Sequence, residues 1–115
     1  MVSGTGEEGW AEVTPKKPLR INQTETEIRG DIRDYLRWTG WFVFYNLQGL
    51  GCYPGLSDLV AVKGGRVVYI EVKKPTGTQS EKQKNFQDNL EAAGGEYVLA
   101  KCVADVEFLN GEGKK

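Results

Sequence analysis

Apolar residues follow two rhythms along this chain. Ile28, Ile32, Tyr35 and Leu36 recur at helical spacing and predict an amphipathic helix from Thr24 to about Trp38. Thr24, with Glu27 three residues on, gives that helix a capping-box start. Trp41–Asn46 is an apolar, aromatic run and predicts a strand. Leu47–Leu56 holds three glycines and a proline and predicts a loop. Ser57–Lys63 and Arg66–Lys73 are rich in Val, Ile, Leu and Tyr, and the Gly64-Gly65 pair between them predicts a tight hairpin. After a loop at Lys74–Thr78, Ser80 starts a second helix. Gln83 completes its capping box, Phe86, Leu90 and Ala93 mark its stripe, and Gly94-Gly95 ends it. Glu96–Lys101 predicts a last strand and Ala104–Leu109 a short closing helix.

The order is helix, three strands, helix, strand. Both faces of the hairpin strands are apolar, which predicts an α/β fold with a central sheet flanked by helices. A chain of 115 residues suits one domain. Residues 1–22, rich in Gly, Glu, Lys and Pro around Trp10, read as a flexible or loosely docked arm. Residues 23–110 form the expected domain and 111–115 the tail. The N-terminal stretch has no apolar run like a signal peptide, and nothing reaches transmembrane length. Cys52 and Cys102 read as reduced thiols of a cytoplasmic protein, a single disulfide being the other possibility.

The hairpin places the candidate chemistry. Counting out from the turn, Lys63 faces Arg66, Val62 faces Val67, Val60 faces Tyr69, and Asp58 faces Glu71. Lys73, two residues past Glu71, shares that face. Hydrophobic pattern does not fix this register, since both faces are apolar. The turn must, because a one-residue slip would put the two acids on opposite faces. Opposed carboxylates repel each other, and holding a divalent cation is a use that offsets the repulsion. Carboxylate oxygens suit hard ions such as Mg²⁺. With Lys73 beside them, the acids could hold a metal, a phosphate and a water together. The plainer alternative is a solvated strand end with Lys73 neutralising Glu71.

Composition narrows the chemistry. Sixteen acidic and 15 basic residues give a net charge of −1, so bulk charge does not attract nucleic acid. The chain has no histidine. That excludes Ser-His-Asp and Cys-His hydrolases, His-based zinc sites and nucleases with a histidine base. Carboxylates, Lys, Tyr and a carboxylate-held metal remain.

Further residues are candidates by position. At about 100° per residue, Glu25 lies within about 20° of Ile32 and Leu36 and points with the stripe towards the sheet. Glu27 falls off the stripe and is explained as a cap. Glu25 is either a third carboxylate of the site or a first-turn acid favoured by the helix dipole. Gln83 either caps its helix or faces the site as well. Arg29, Arg33 and Arg37 form a basic stripe, and Lys74, Lys82 and Lys84 add charge near the hairpin's exit. These would follow a phosphate backbone or be a solvated surface. The loop Gln48–Gly55 either approaches DNA or only connects strands.

Ser57-Asp58, twelve further residues, then Glu71-Val72-Lys73 resembles the PD-(D/E)xK nuclease signature. The closer resemblance is to the virus-type replication-repair nuclease branch, VRR-NUC. Glu25-Thr-Glu-Ile28, Pro54-Gly-Leu-Ser-Asp-Leu59, Glu71-Val-Lys-Lys-Pro75 with Ser80-Glu-Lys-Gln-Lys84, and Ala92-Ala-Gly-Gly-Glu-Tyr-Val98 carry it, over about residues 23–109. Two departures are Ser57, where the superfamily name has proline, and Arg29, where the branch often has glutamine.

The resemblance implies a restriction-endonuclease-like αβββαβ core with a mixed sheet. It implies a metal-dependent DNA endonuclease, acting on Holliday junctions, flaps or other branched DNA as a homodimer. Asp58, Glu71 and the Val72 carbonyl would bind Mg²⁺ or Mn²⁺, and Glu25 would hold the metal or its water. Lys73 would orient or activate the attacking water, Gln83 would support the site, and Arg29, Arg33, Lys74 and Lys82 would touch DNA. The family name also suggests a phage origin. A nuclease with little structure preference, or a non-catalytic DNA-binding module, would share the same fold.

Overall fold

The fold was analysed in a computed structural model, which describes residues 23–111. The expected arm at 1–22, with Trp10, and residues 112–115 lie outside the described residues. The elements are α1 (Glu25–Trp38), β1 (Phe42–Tyr45), β2 (Leu59–Lys63), β3 (Arg66–Val72), α2 (Glu81–Ala92) and β4 (Glu96–Ala100). A 3₁₀ turn (Val103–Val106) and a one-turn helix α3 (Phe108–Gly111) close the chain. The expected closing helix is therefore split, and the first strand is shorter than the apolar run that predicts it.

The four strands lie in the order β1-β2-β3-β4. Pairs β1/β2 and β2/β3 are antiparallel and β3/β4 is parallel, with α2 in the crossover. Gly64 and Gly65 take φ of 58° and 84°. That two-residue turn matches the twist of the strands it joins. It sets Lys63 against Arg66, Val62 against Val67 and Val60 against Tyr69, as the sequence predicts.

One face of the sheet packs on α1. Ile28, Ile32 and Leu36 meet Val43, Leu59, Ala61, Val68, Ile70, Val72 and Ala100 in a single core, joined by Trp41, Val106 and Leu109. Both capping boxes form: Thr24 with Glu27, and Ser80 with Gln83. Each cap satisfies two otherwise orphaned backbone donors.

The opposite face is covered unevenly. There α2 lies towards β4, held by Phe86 against the rings of Tyr53, Tyr69 and Tyr97. Its predicted stripe is shallower than expected: Phe86 and Leu90 are half-buried, and Ala93 is exposed at the C-cap. A helix touching only one side of a sheet buries less of its stripe than one lying over the middle. Phe42, Phe44 and Val67 stay exposed on the uncovered part of this face. Cys52 and Cys102 are free thiols. No described helix is long and apolar enough to cross a membrane.

Candidate active site

The site forms where the hairpin strands leave the turn behind. Regular pairing of β2 and β3 stops at Leu59 opposite Ile70, so Asp58 lies one step beyond the ladder rather than in it. Its carboxylate bonds across the gap instead: Asp58 Oδ2 accepts from the Val72 N–H at 2.8 Å. Ser57, which the sequence also assigns to the strand, is held by other means. The Asn46 and Gln48 amides donate to its carbonyl at 2.9 and 3.0 Å, and the Asn46 N–H donates to the Asp58 carbonyl at 2.9 Å. Two loop amides thus replace the ladder and fix the backbone that carries Asp58.

Glu71 stands on β3 with only 2% of its surface exposed. Its Oε2 accepts from the Gln83 amide at 2.9 Å and lies 3.7 Å from Lys73 Nζ. Its Oε1 is buried and has no hydrogen-bond partner among the described residues. Burial pushes the Glu71 carboxyl up to about 8, and the negative charges of Asp58 and then Glu25 add to the rise. Lys73 opposes them. A buried acid surrounded by like charge holds its proton at neutral pH until an opposite charge arrives.

These facts sort the candidates. Asp58, Glu71, Lys73 and Gln83 come together. Gln83 both caps α2 and holds Glu71, so its two readings are both true. Glu25 is near enough to act on Glu71 through its charge, whereas Glu27 is committed to the cap. Among the described residues, no three acidic, cysteine or histidine side chains gather as a metal-holding group. Val72 turns its side chain into the core, so only its backbone faces the site's chemistry.

The basic stripe divides. Arg33 pairs with Asp34 at 2.9 Å and donates to the Tyr45 hydroxyl at 2.9 Å, and Arg37 donates to the Val43 carbonyl at 3.0 Å. Arg29 keeps a buried Nε with no partner among the described residues. Lys74 and Lys82 are exposed. Asn46 and Gln48 are what sequence reasoning missed. Amides just past a strand end, beside a segment too short of apolar residues to pair, are the signal for them.

The architecture that carries these residues has a known counterpart. A solved structure described as a VRR-NUC domain superposes with a TM-score of 0.65, covering 76% of this chain and 95% of that one at 19% identity. The chain has a VRR-NUC fold. No family model matches the sequence, and no curated protein does. At this identity the likeness fixes architecture, while the acids, Lys73 and Gln83 must be argued from their own geometry. Within the VRR-NUC fold they sit at the open end of the hairpin, where α1 begins and α2 begins, so four elements converge on one point.

The donors fit a divalent cation. Two carboxylates and a backbone carbonyl are hard oxygen ligands. The orphaned Glu71 Oε1 is the observation that favours the fit, because a buried carboxylate oxygen without a partner costs free energy that a bound cation removes.

Proposed function

We propose that this chain is a metal-dependent endodeoxyribonuclease that hydrolyses phosphodiester bonds. The observation that carries the reading is the buried Glu71 carboxyl, with one oxygen unpartnered, beside Asp58 and Lys73. Asp58, Glu71 and the Val72 carbonyl would hold Mg²⁺ or Mn²⁺, which keeps several waters and needs only one or two carboxylates. When bound, such an ion lowers the pKa of a water and offsets charge on the phosphoryl oxygens.

The chain's own groups do the rest. Gln83 donates to Glu71 Oε2 and so fixes which oxygen is left for the ion. The Val72 N–H fixes Asp58 in the same way. Lys73, 15% exposed, orients the attacking water and adds positive charge where negative charge grows in the transition state. Glu25 acts on the same point at longer range, on a water rather than as a direct ligand. Lys74 and Lys82, both exposed, would meet the DNA backbone.

Branched DNA is the substrate we assign, with a homodimer as the working form. The exposed Phe42, Phe44 and Val67 on the uncovered sheet face supply an apolar surface for a second copy. The free thiols Cys52 and Cys102 fit a reducing cytoplasm.

One observation favours a competing reading, a non-catalytic DNA-binding module: the absence of a three-acid group among the described residues. Cleavage decides. Labelled junction, flap and linear DNA are incubated with the protein and Mg²⁺ or Mn²⁺. Junction or flap should be cut and linear DNA spared, and Lys73→Ala should lose activity by about a hundredfold or more, the scale of one lost electrostatic contact. No cutting of any substrate, or full activity in Lys73→Ala, removes the nuclease reading.

A further inference from the structure

A second feature lies on the α1 side of Asp58. A cleft of about 250 Å³ is lined by Thr26, Arg29, Tyr45, Asn46, Gln48 and Asp58. It opens where β1 ends and the Asn46 and Gln48 amides hold Ser57. Those amides already donate to backbone carbonyls. Asp58 and Thr26 line it too, Asp58 with an oxygen suited to a cation; the groups that can meet an anion with a charge or a polarised proton are Arg29 and Tyr45.

Arg29 differs from the other two arginines of its stripe. Arg33 and Arg37 have partners inside the chain, while the Arg29 Nε is buried and unpartnered among the described residues. A buried guanidinium donor left unpaired is costly, and an anion bound by the same guanidinium where Arg29 lines the cleft would offset that cost. The Tyr45 hydroxyl accepts from Arg33 at 2.9 Å, and the Arg33 guanidinium also lies 5.7 Å from the centre of the Tyr45 ring. With its oxygen accepting, the hydroxyl proton is available to donate into the cleft. A forked cation and a polarised O–H facing one small space suit a phosphate. The volume is below that of ordinary small-molecule pockets, which suits a single phosphodiester link better than a whole nucleotide.

We propose that this cleft is a subsite for one DNA phosphate next along the strand from the scissile one, bound by the Arg29 guanidinium and the Tyr45 hydroxyl. The proposal rests on the nuclease reading and deepens it. The subsite sets where the strand lies relative to Asp58 and Glu71, so Arg29 and Tyr45 are positioning residues. The phosphate has two possible sources, an internal link or a 5′-terminal phosphate.

The test is a coupling measurement on the full chain. Oligonucleotide junctions carry a neutral methylphosphonate at one link at a time. Affinity is read by fluorescence anisotropy, with Ca²⁺ replacing Mg²⁺ to hold cleavage off. The unchanged protein should lose about tenfold or more at one link, the scale of one charged hydrogen bond. Arg29→Gln and Arg29→Ala should lose a similar factor on all-phosphate DNA and nothing further at that link. Their salt dependence should also fall by about one phosphate's worth. Tyr45→Phe should show the same coupling more weakly and keeps the ring that packs on Arg33. Circular dichroism confirms that each variant folds, and Arg29→Gln stands in if Arg29→Ala does not.

A 5′-phosphate and a 5′-hydroxyl version distinguish a strand end from an internal link, either of which upholds the subsite. Losses that simply add at every link, or an Arg29→Gln protein that binds like the unchanged one, overturn it. If the unchanged protein cuts DNA and no link is coupled to Arg29, this inference alone falls. If it neither binds nor cuts DNA, the nuclease reading falls with it.

Discussion

Replacing Glu71 by Gln should stabilise the metal-free protein at pH 8 and leave it nearly unchanged near pH 4. Gln has the same shape, and its carbonyl can still accept from the Gln83 amide that now meets Glu71 Oε2. The difference is the proton. In the unfolded chain Glu71 titrates near 4.5, and in the fold burial and the Asp58 charge raise it to about 8. Between those values the unfolded chain has released the proton and the folded chain keeps it. Raising the pH therefore favours unfolding, by up to about 1.4 kcal/mol per pH unit. The contribution is full below pH 4.5 and is lost as pH rises through about 8. By pH 7 the unchanged chain should have lost roughly 3 kcal/mol relative to Glu71→Gln, a large part of a small domain's stability. Urea titrations in EDTA at pH 4.5, 6, 7 and 8 measure it. Curves for the two proteins that stay parallel from pH 5 to 8 would refute the argument, since Glu71 would then be ionised in the fold as freely as in water.

Binding of Mn²⁺ should release close to one proton at pH 7 and almost none by about pH 10, because Glu71 must ionise to take the ion. Calorimetry in buffers of different ionisation heat gives that count, and Asp58→Asn should abolish the binding itself. Gln83→Glu should keep the α2 cap, and stability within about 0.5 kcal/mol at pH 5, because either side chain closes a capping box. It sets an acceptor against Glu71 instead of a donor, so cleavage at neutral pH should fall by about tenfold or more, read with the junction assay. Gly55→Ala should destabilise by roughly 2–4 kcal/mol. Gly55 has φ of +82°, and a Cβ there would run into the Lys82 carbonyl. Gly49→Ala, with φ of +125° and open space around it, is the control for backbone strain alone, and thermal melts compare the two.

Much of this was legible in the sequence because local chemistry agreed with the fold. The Gly64-Gly65 pair fixed the register from Lys63/Arg66 to Leu59/Ile70, one step short of the expected Asp58/Glu71 pair, and both capping boxes formed where Thr24/Glu27 and Ser80/Gln83 predicted them. The period of Ile28, Ile32 and Leu36 identified the buried side of α1. What was hidden depends on contacts between segments far apart in the chain. Alternation within Ser57–Lys63 gives no sign that Asn46 and Gln48 take over from the ladder before Leu59. A basic stripe looks uniform until Tyr45 and Val43 are seen to bind Arg33 and Arg37, while the Arg29 Nε finds no partner among the described residues. Helical period likewise exposes nothing of how far α2 overlaps the sheet, so Ala93 looked buried and is not.

The early end of the β2/β3 ladder also explains why the site can exist. Had pairing continued through Asp58, the Val72 N–H would meet a backbone carbonyl and the Asp58 carboxylate would stand directly over Glu71, with only repulsion between them. Ending the ladder at Leu59 frees the Val72 N–H to hold Asp58 by one oxygen. Gln83 then holds Glu71 by one oxygen from the opposite side. Each acid keeps its second oxygen uncommitted among the described residues, and both groups that hold them are rigid, one in a central strand and one in a capped helix turn. The two acids are thus tied apart, and at neutral pH the proton that Glu71 keeps removes one of the two like charges. Lys73 alone does not relieve them, since the Glu71 carboxyl still stands near 8 with Lys73 in place. Neutral pH leaves that proton on Glu71, and a cation bound in the proposed site would have to displace it.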